Sequence, residues 1–265
     1  MSNLAVAVVV PTYNERENLP DLVRALLALP LKVQVIIVDD NSPDGTGQLA
    51  DRLALETGRV AVIHRPSKQG LGTAYTAGFR CALQFDVDCI ITMDADFSHD
   101  PHYVPTLVER TALYDLVIGS RYVPGGGIQL WGWERRLLSW GANMIARRML
   151  GLQVHDCTAG FRCYRRQALE AIDLDSIRAD GYSYLVEMLF RCQLAGLTIG
   201  EVPIVFVDRR RGASKISRQE IFKAGFTVFR LAWGRVWRWP TVSSADRTQV
   251  KRSEAKNSDL VVHHR

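Results

Sequence analysis

Residues 33–46 read VQVIIVDDNSPDGT, an apolar run followed by two aspartates and a polar turn. The run at residues 33–38 is rich in β-branched side chains, which is typical of a buried β-strand. Residues 19–29 before it carry apolar side chains at helical spacing, and residues 47–56 after it are also predicted as a helix. This order of helix, strand and helix indicates an α/β fold.

The same alternation extends outward from this segment. Apolar runs at residues 4–10, 60–64 and 89–93 are predicted strands, and residues 72–84 are a predicted helix. Strands that are apolar throughout and separated by helices are typical of a parallel sheet covered on both faces. We therefore expect a mostly parallel central sheet flanked by helices, with ligands bound beyond the carboxyl ends of its strands.

The pattern is less regular beyond residue 119. It predicts a glycine-rich turn at residues 124–127, a helix at 135–150, a turn and short strand at 158–165, a helix at 184–195 and a strand at 201–207. Residues 214–239 carry aromatic residues three or four apart, which predicts a long amphipathic helix. The polar residues 241–265 predict a disordered tail.

The composition of the chain is that of an ordinary globular protein. Its 265 residues are 47% hydrophobic and 23% charged, which excludes disordered, collagen-like and coiled-coil classes. Five cysteines without a C-x-x-C pair favour a reduced, cytoplasmic protein. We expect no membrane-spanning segment, because the most apolar candidate near the end of the chain is interrupted by lysine and arginine, and no signal peptide at the N-terminus.

The excess positive charge is concentrated in one window. Residues 201–240 hold nine lysines and arginines against three acidic residues, whereas the whole chain has a formal net charge of +5. A basic face beside aromatic residues indicates a phosphate-rich partner, which could be an anionic lipid, a nucleic acid or a phosphorylated substrate. Residues 214–240 therefore predict a helix suited to a membrane interface, with a core helix as the alternative.

Three polar loops follow predicted strands and open on the same edge of the sheet. They read PTYNE at residues 11–15, DDNSPDGT at 39–46 and DAD at 94–96. An isolated D-x-D is more often a solvated turn, but its place after a buried strand and beside two acidic loops favours a site for Mg²⁺ or Mn²⁺ that bridges to a diphosphate. Neither the dinucleotide-binding fingerprint nor a P-loop occurs, which disfavours a dehydrogenase and a P-loop nucleotidase.

Together these loops resemble the family-two inverting glycosyltransferases of the GT-A fold. Further motifs narrow the resemblance to the polyprenol-phosphate mannosyltransferases, the dolichol-phosphate mannose synthase group. The motifs are VVPTYNERENL, VDDNSPDGT, GLGTAYTAGF, MDADFSHDP, VIGSRY, RRLLSWGAN, CTAGFRCYRR and GASK. They occur in the family's order from about residue 8 to residue 215. The resemblance implies a GT-A catalytic domain at residues 1–213, followed by the amphipathic segment 214–240 and the tail 241–265.

The resemblance also implies roles for individual residues. The positions that match the guanosine site for GDP-mannose are Pro11, Tyr13, Glu15, Val38 and Asp40. Those that match the diphosphate and metal site are Asp94, Ala95 and Asp96, with Asp94 and Asp96 as ligands of Mg²⁺ or Mn²⁺. Those that match the acceptor-phosphate site are Arg121, Arg135 and Ser139, and those that match basic residues closing over the donor diphosphate are Arg209 and Lys215. Some relatives have a glutamine metal ligand where this chain has Ser98, so the third protein ligand stays open.

The chemistry of such a transfer is consistent with these roles. Negative charge grows on the leaving diphosphate, so a dication, Arg209 and Lys215 would stabilise the transition state, and Asp96 and Arg121 complete the predicted catalytic set. A phosphate monoester with a second pKa near ~6 is largely ionised at neutral pH, so we expect no catalytic base. His99 is predicted to support the metal site rather than to ligate the ion. Asp156 is expected either to bind substrate or to order its turn.

The resemblance implies GDP-mannose and a polyprenyl phosphate as substrates, at the cytoplasmic face of a membrane. The predicted partners include the membrane surface and a separate membrane-anchoring subunit, but no nucleic acid. Two alternatives stay open at this point. One is a polyprenyl-phosphate glucosyltransferase that uses UDP-glucose, and the other is a membrane-binding relative that has lost catalysis.

Overall fold

A computed structural model describes residues 4–177, 179, 181–208 and 225–233 of the chain. The strands of the described part are β1 Ala5–Thr12, β2 Lys32–Asp39, β3 Val60–His64, β4 Cys89–Thr92, β5 Leu116–Ser120, β6 Gly127–Gln129, β7 Arg162–Arg165, β8 Ile199–Pro203 and β9 Val205–Val207. Its helices are α1 Leu19–Leu27, α2 Thr46–Thr57, α3 Leu71–Ala82, α4 Val104–Arg110, α5 Trp133–Leu150, α6 Arg166–Glu170 and α7 Tyr182–Leu194. Residues 225–233 are also helical.

The central sheet has the strand order β3-β2-β1-β4-β7-β5-β8 in the described part of the chain. Strands β1 to β4 are mutually parallel, as are β5 and β8, whereas β7 runs antiparallel to both of its neighbours. Val8 of β1 lies beside Val35 on one side and Ile91 on the other, and all three side chains are fully buried. The prediction of a mostly parallel sheet flanked by helices is confirmed.

Helix α3 lies unusually close to the sheet. Gly78 faces the side chain of Val9, and a Cβ at this position would overlap it. The polar loops after β1, β2 and β4 lie beyond the carboxyl ends of three parallel, adjacent strands. The fold therefore brings the three predicted loops to one edge of the sheet, as expected for this class of protein.

The prediction of one strand over residues 201–207 is wrong. The chain leaves the central sheet after Pro203 and enters a separate two-stranded sheet, in which β9 pairs with β6. Ile204 is the point of change, since its amide donates to the carbonyl of Ser120 and its carbonyl accepts from the amide of Gly127. The sequence does not reveal this change of sheet, because the residues on both sides of Ile204 have the composition of a strand.

Most of the predicted helix at residues 214–239 lies outside the described residues. Residues 225–233 are helical, as predicted, but nothing tests the boundaries 1–213, 214–240 and 241–265, which stay predictions. Among the helices of the described ranges, none is both long and apolar enough to cross a membrane.

Candidate active site

The loops after β1 and β2 are joined by Asp39. Its carboxylate accepts hydrogen bonds from the hydroxyl of Thr12 at 3.0 Å and from the amide and hydroxyl of Ser42 at 3.0 and 2.6 Å. The amide of Glu15 donates to the hydroxyl of Thr46 at 3.0 Å, which adds a second link between the loops. Asp39 is thus a structural residue, and it leaves the next carboxylate, Asp40, to face the site.

Asp40 forms a buried ion pair with Arg65, a residue that the sequence analysis did not single out. The Nη1 of Arg65 lies 2.8 Å from the Oδ1 of Asp40, and both side chains are buried. Burial raises the pKa of Asp40, although the guanidinium of Arg65 partly offsets that effect. Arg65 follows β3 at the same sheet edge, and this position was the only sequence signal that could have identified it.

The other residues predicted to bind guanosine lie at the same edge. Pro11 and Val38 are paired across β1 and β2, and Glu15 lies four residues after Pro11. Val38 is fully buried, so its side chain is part of the core. Tyr13 is half-buried, and the ammonium of Lys68 lies 4.2 Å from the centroid of its ring. The fold places the residues predicted to bind guanosine at one edge of the sheet.

The two aspartates after β4 differ in exposure. The side chain of Asp94 is partly exposed, and its Oδ1 accepts from the hydroxyl of Tyr75 at 3.4 Å. Asp96 is buried, and its Oδ1 accepts from the amide of Ser98 at 3.0 Å. Burial raises the pKa of Tyr75 well above its usual value, so its hydroxyl remains a donor to Asp94.

His99 fixes the backbone of Asp94 and is not placed as a ligand. The amide of Asp94 donates to the Nδ1 of His99 at 3.0 Å, so the proton of the neutral ring is on Nε2. The ring is buried between Phe161 and Phe206, with centroids 5.1 and 5.6 Å away, and burial lowers its pKa. This contact is consistent with the predicted supporting role.

The residues around Asp94 and Asp96 fit a hard divalent cation. Their carboxylates supply oxygen ligands, and the hydroxyl of Ser98 is buried without a hydrogen-bond partner among the described residues. A Cβ at Gly160 would lie 3.9 Å from the Oδ1 of Asp94, so the absent side chain leaves space there. The described ranges hold no cluster of three His, Cys, Asp or Glu residues suited to a metal. Such a site suits Mg²⁺ or Mn²⁺ only if substrate oxygens complete the coordination.

Arg121 and Asp156 form the best-defined ion pair of the site. The Nε and Nη2 of Arg121 each donate to Asp156 at 2.7 Å, and its amide donates to the same carboxylate at 3.0 Å. Asp156 is 0% exposed, and the charge of Arg121 together with its hydrogen bonds lowers the pKa of Asp156 despite the opposing effect of burial. Of the two roles considered for Asp156, the structure supports ordering, because the carboxylate is fully buried.

Two further residues hold this ion pair in place and were missed by the sequence analysis. Asn143 accepts from the amide of Cys157 at 2.7 Å and donates to the carbonyl of Ser139 at 2.9 Å. Glu201 accepts from the amide of Asp156 at 3.0 Å. Glu201 lies far from Asp156 in the chain, so no local pattern marks it. Asn143 ends the motif RRLLSWGAN, but the motif alone does not assign it this role.

The three predicted acceptor-phosphate residues line one cavity of about 760 Å³. Ser139 accepts from the hydroxyl of Tyr122 at 2.7 Å, and Arg135 donates to Asp208 at 2.7 Å. The cavity is also lined by Asp94 and by apolar residues that we call the apolar groove, which include Leu137, Leu138, Trp140, Ile145, Val186 and Val228. The predicted residues Arg209 and Lys215 lie outside the described residues.

Backbone strain is concentrated in the loops of this site. Within the described ranges, the non-glycine residues with positive φ are Asn14, Asn41, Phe97 and Leu130, at values from 57° to 65°. Asn14, Asn41 and Phe97 belong to the three loops at the sheet edge, and Leu130 precedes α5. Such a conformation is unfavourable for bulky residues such as Phe97 and Leu130, and it persists only where the surrounding structure imposes it.

An α/β sheet with acidic loops at one edge and a cavity beside them has the architecture of a ligand-binding site. The chain belongs to Glycosyl transferase family 2, whose sequence model matches residues 7–173. It is therefore a glycosyltransferase.

Two curated relatives are more specific. The chain is 47% identical over 236 residues to an undecaprenyl-phosphate mannosyltransferase of Micrococcus luteus, which covers 89% of this chain and 96% of the relative. It is also 47% identical over 229 residues to a polyprenol monophosphomannose synthase of Mycolicibacterium smegmatis, which covers 86% of each. The resemblance to polyprenol-phosphate mannosyltransferases is thereby confirmed.

A solved structure confirms the fold. The glucosyl-3-phosphoglycerate synthase of Mycobacterium tuberculosis, in complex with Mn²⁺, UDP-glucose and phosphoglyceric acid, matches with a TM-score of 0.62 and 18% identity. The match covers 87% of this chain and 80% of the synthase. The predicted GT-A fold is confirmed.

Proposed function

We propose that this protein transfers mannose from GDP-mannose to the phosphate of a polyprenol with inversion, giving polyprenyl-phospho-mannose and GDP. The observation that carries the proposal is the continuous cavity. It is lined by Asp94, at the predicted diphosphate site, by Arg121, Arg135 and Ser139, and by the residues of the apolar groove. A polyprenyl phosphate likewise combines a polar head with an apolar chain, and both curated relatives are named for acting on such a lipid.

The donor end of the site suits a sugar diphosphate with a divalent cation. Asp94 and Asp96 would hold Mg²⁺ or Mn²⁺, which supplies charge neutralisation for the leaving diphosphate when bound. The fold neighbour from M. tuberculosis was solved with Mn²⁺ and UDP-glucose, which supports a metal-dependent nucleotide sugar as donor. Tyr75 and His99 hold Asp94 in place through its carboxylate and its amide. The predicted roles of Arg209 and Lys215 over the diphosphate belong to this proposal.

The acceptor end provides positive charge and hydrogen bonds rather than a base. Arg135 suits phosphate because a guanidinium binds two oxygens at once. Arg121 contributes its positive charge, since its Nε and Nη2 already donate to Asp156 and Thr158. The acceptor phosphate is already ionised at neutral pH, so its oxygen attacks without loss of a proton to the protein. The role of Arg121, Arg135 and Ser139 is to place that oxygen in line with the anomeric carbon, opposite to the leaving diphosphate. Inversion follows from this geometry.

The outer surface of α5 suits contact with a membrane. Its exposed apolar residues include Met144 and Met149, together with Trp133, Leu137 and Trp140, which also line the cavity, and the helix also carries Arg136, Arg147 and Arg148. Apolar and basic residues on one helix fit the headgroup region of an anionic leaflet. A polyprenyl phosphate is held in such a leaflet, so we propose that the protein acts at the cytoplasmic membrane surface. A separate anchoring subunit remains part of this proposal.

A direct assay with matched donors tests the proposal. Purified protein is incubated with decaprenyl phosphate, Mg²⁺ or Mn²⁺, and either radiolabelled GDP-mannose or radiolabelled UDP-glucose. We expect a labelled lipid product from GDP-mannose, with little product from UDP-glucose and none when EDTA is present. A preference for UDP-glucose would indicate the glucosyltransferase alternative. Binding of GDP-mannose by calorimetry without any transfer would indicate a relative that has lost catalysis.

A further inference from the structure

Trp131 lies between the two arginines that line the acceptor end of the cavity. The guanidinium carbon of Arg135 is 3.9 Å from the centroid of the indole ring, and that of Arg121 is 5.5 Å from it. The side chain is only 8% exposed and meets Phe206 edge to face, with centroids 5.4 Å apart. The indole therefore spaces and orients two cationic groups at this end of the cavity.

The stacked pair of Trp131 and Arg135 holds two unused hydrogen-bond donors. The Nε1 of Trp131 and the Nε of Arg135 are both buried, and neither has a partner among the described residues. Buried polar groups are almost always hydrogen-bonded, and an indole N–H can only donate. Both residues line the cavity through other atoms, so a local movement that opens these two N–H groups lets a ligand in the cavity accept from both.

The position of Trp131 is also imposed by the chain. Leu130, which precedes it, has a φ of 65°, and a bulky residue adopts this conformation only under constraint. Arg135 is held independently by Asp208, which accepts from its Nη1 at 2.7 Å. Both side chains are thus held beside the cavity before a ligand arrives, which lowers the entropic cost of binding.

We propose that Trp131 is a substrate-binding residue whose indole N–H, together with the Nε–H of Arg135, donates to oxygens of the acceptor phosphate. This inference rests on the proposed function. A phosphate monoester accepts hydrogen bonds on three terminal oxygens and can meet both donors while it faces Arg121. The apolar groove continues from this point of the cavity, so the phosphate occupies the polar end and the prenyl chain lies along α5.

Two variants separate the N–H of Trp131 from its ring. Trp131→Phe keeps an aromatic ring between the arginines and removes the donor, whereas Trp131→Leu removes both. For Trp131→Phe we expect the KM for decaprenyl phosphate to rise about 10-fold or more, as for a lost hydrogen bond to a charged group. The value of kcat and the Kd for GDP-mannose should stay within about two-fold of wild type, and calorimetric binding of farnesyl phosphate should weaken by the same factor as KM rises.

Arg135→Lys provides an independent test, because it keeps the positive charge beside Asp208 and removes the Nε–H. It should raise the acceptor KM as Trp131→Phe does. Tyr114→Phe serves as the control, since Tyr114 packs against Gly200 and does not line the cavity. Unfolding temperatures of all variants identify any that fail to fold.

Each contrary result has a distinct meaning. A normal acceptor KM in folded Trp131→Phe, with a defect only in Trp131→Leu, would overturn the donor role and leave the indole as a spacer. If Trp131→Phe does not fold, a normal acceptor KM in Arg135→Lys overturns the inference. An equal loss of GDP-mannose affinity would assign the donors to the sugar diphosphate instead. Absence of lipid product with wild-type protein would contradict the proposed function itself.

Discussion

At the level of single residues, Asp156 shows how a fully buried carboxylate acts on a site that it does not touch. It holds Arg121 through two side-chain hydrogen bonds and one from the backbone. Asp156→Asn leaves the guanidinium without its counter-charge, so we expect the acceptor KM to rise at least ~10-fold. The free energy of unfolding should fall by about 3–5 kcal/mol, as for other broken buried pairs. Acceptor kinetics and urea unfolding measure both effects.

The matched control is Asp21→Asn, which removes one partner of the exposed pair between Asp21 and Arg24. Exposed pairs contribute about 0–1 kcal/mol, so this variant should unfold almost like wild type. If Asp156→Asn retained both normal stability and normal acceptor KM, the ion pair would have no role in placing Arg121.

The same residue makes stability depend on pH. Folding lowers the pKa of Asp156 below its ordinary value of 3.8, so its carboxylate stabilises the folded chain above pH 3.8. That contribution is lost as the pH falls through the folded-state pKa. The difference in unfolding free energy between wild type and Asp156→Asn should therefore be full at pH 6 and should narrow below pH 3.8. Urea titrations at a series of pH values test this, and a constant difference would contradict it.

The prediction for the proposed metal site is tested at Asp96. Asp96→Asn removes one negative ligand from the site that neutralises the leaving diphosphate, so turnover should fall at least ~10²-fold, equivalent to about 3 kcal/mol. Asp100→Asn is the control, because Asp100 is an exposed carboxylate four residues away whose Oδ1 accepts from the amide of His102. Near-normal turnover in Asp96→Asn, or full activity of wild type in excess EDTA, would refute the metal assignment.

The sequence predicts the acidic residues of the site better than the residues that hold them. Asp40, Asp94 and Asp96 follow apolar strands, and the carboxyl ends of parallel strands share an edge, so a local pattern is enough to place them. Arg65 pairs with Asp40 and Glu201 bonds to the amide of Asp156, and both partners lie far away in the sequence. Their roles depend on tertiary contacts, which no local periodicity encodes.

At the level of elements, the first half of the chain follows its hydrophobic pattern closely because each strand there has one uniform environment. The second half does not. Strand β7 enters the sheet antiparallel between β4 and β5, and the run at 201–207 divides between two sheets at Ile204. The direction of a strand and the sheet to which it belongs depend on which strands it pairs with in space. Neither property can be read from the amino-acid composition of the strand.

The prediction for membrane binding is tested at helix α5. Replacing Leu137, Trp140 and Met144 together by glutamine removes exposed apolar area from the helix, and this area, unlike charge, is not screened by salt. We expect binding to anionic vesicles to be lost at both low and high salt, whereas GDP-mannose binding stays normal. Co-sedimentation with vesicles measures the first and calorimetry the second.

The control for this variant is Leu55→Gln combined with Leu113→Gln, two exposed leucines outside α5. It should sediment with vesicles like wild type. If the α5 variant also bound vesicles normally, the membrane contact would lie elsewhere in the chain, with residues 214–240 or an anchoring subunit as the remaining explanations.

At the level of the whole molecule, different parts of the fold form the proposed sites for the two substrates. The loops after β1 and β2 supply the proposed donor site, whereas α5 and residues 156–160 supply the proposed acceptor site. Asp94 and Asp96 lie at the end of β4, which is hydrogen-bonded to β1 on one side and to β7 on the other. The carboxylates at the proposed diphosphate site therefore follow a strand that is paired on both sides.

This division predicts independent effects on the two substrates. Tyr13→Ala removes a stacking surface for the base, so the KM for GDP-mannose should rise about 5-fold or more while the acceptor KM stays normal. Ser139→Ala should raise only the acceptor KM. The two residues share no contact among the described residues, so in the double variant the losses in kcat/KM should multiply. Steady-state kinetics with each substrate varied in turn tests this. If either single variant raised both KM values equally, donor and acceptor would have to share one binding surface, because a side chain that contacts only one substrate changes the affinity for that substrate alone.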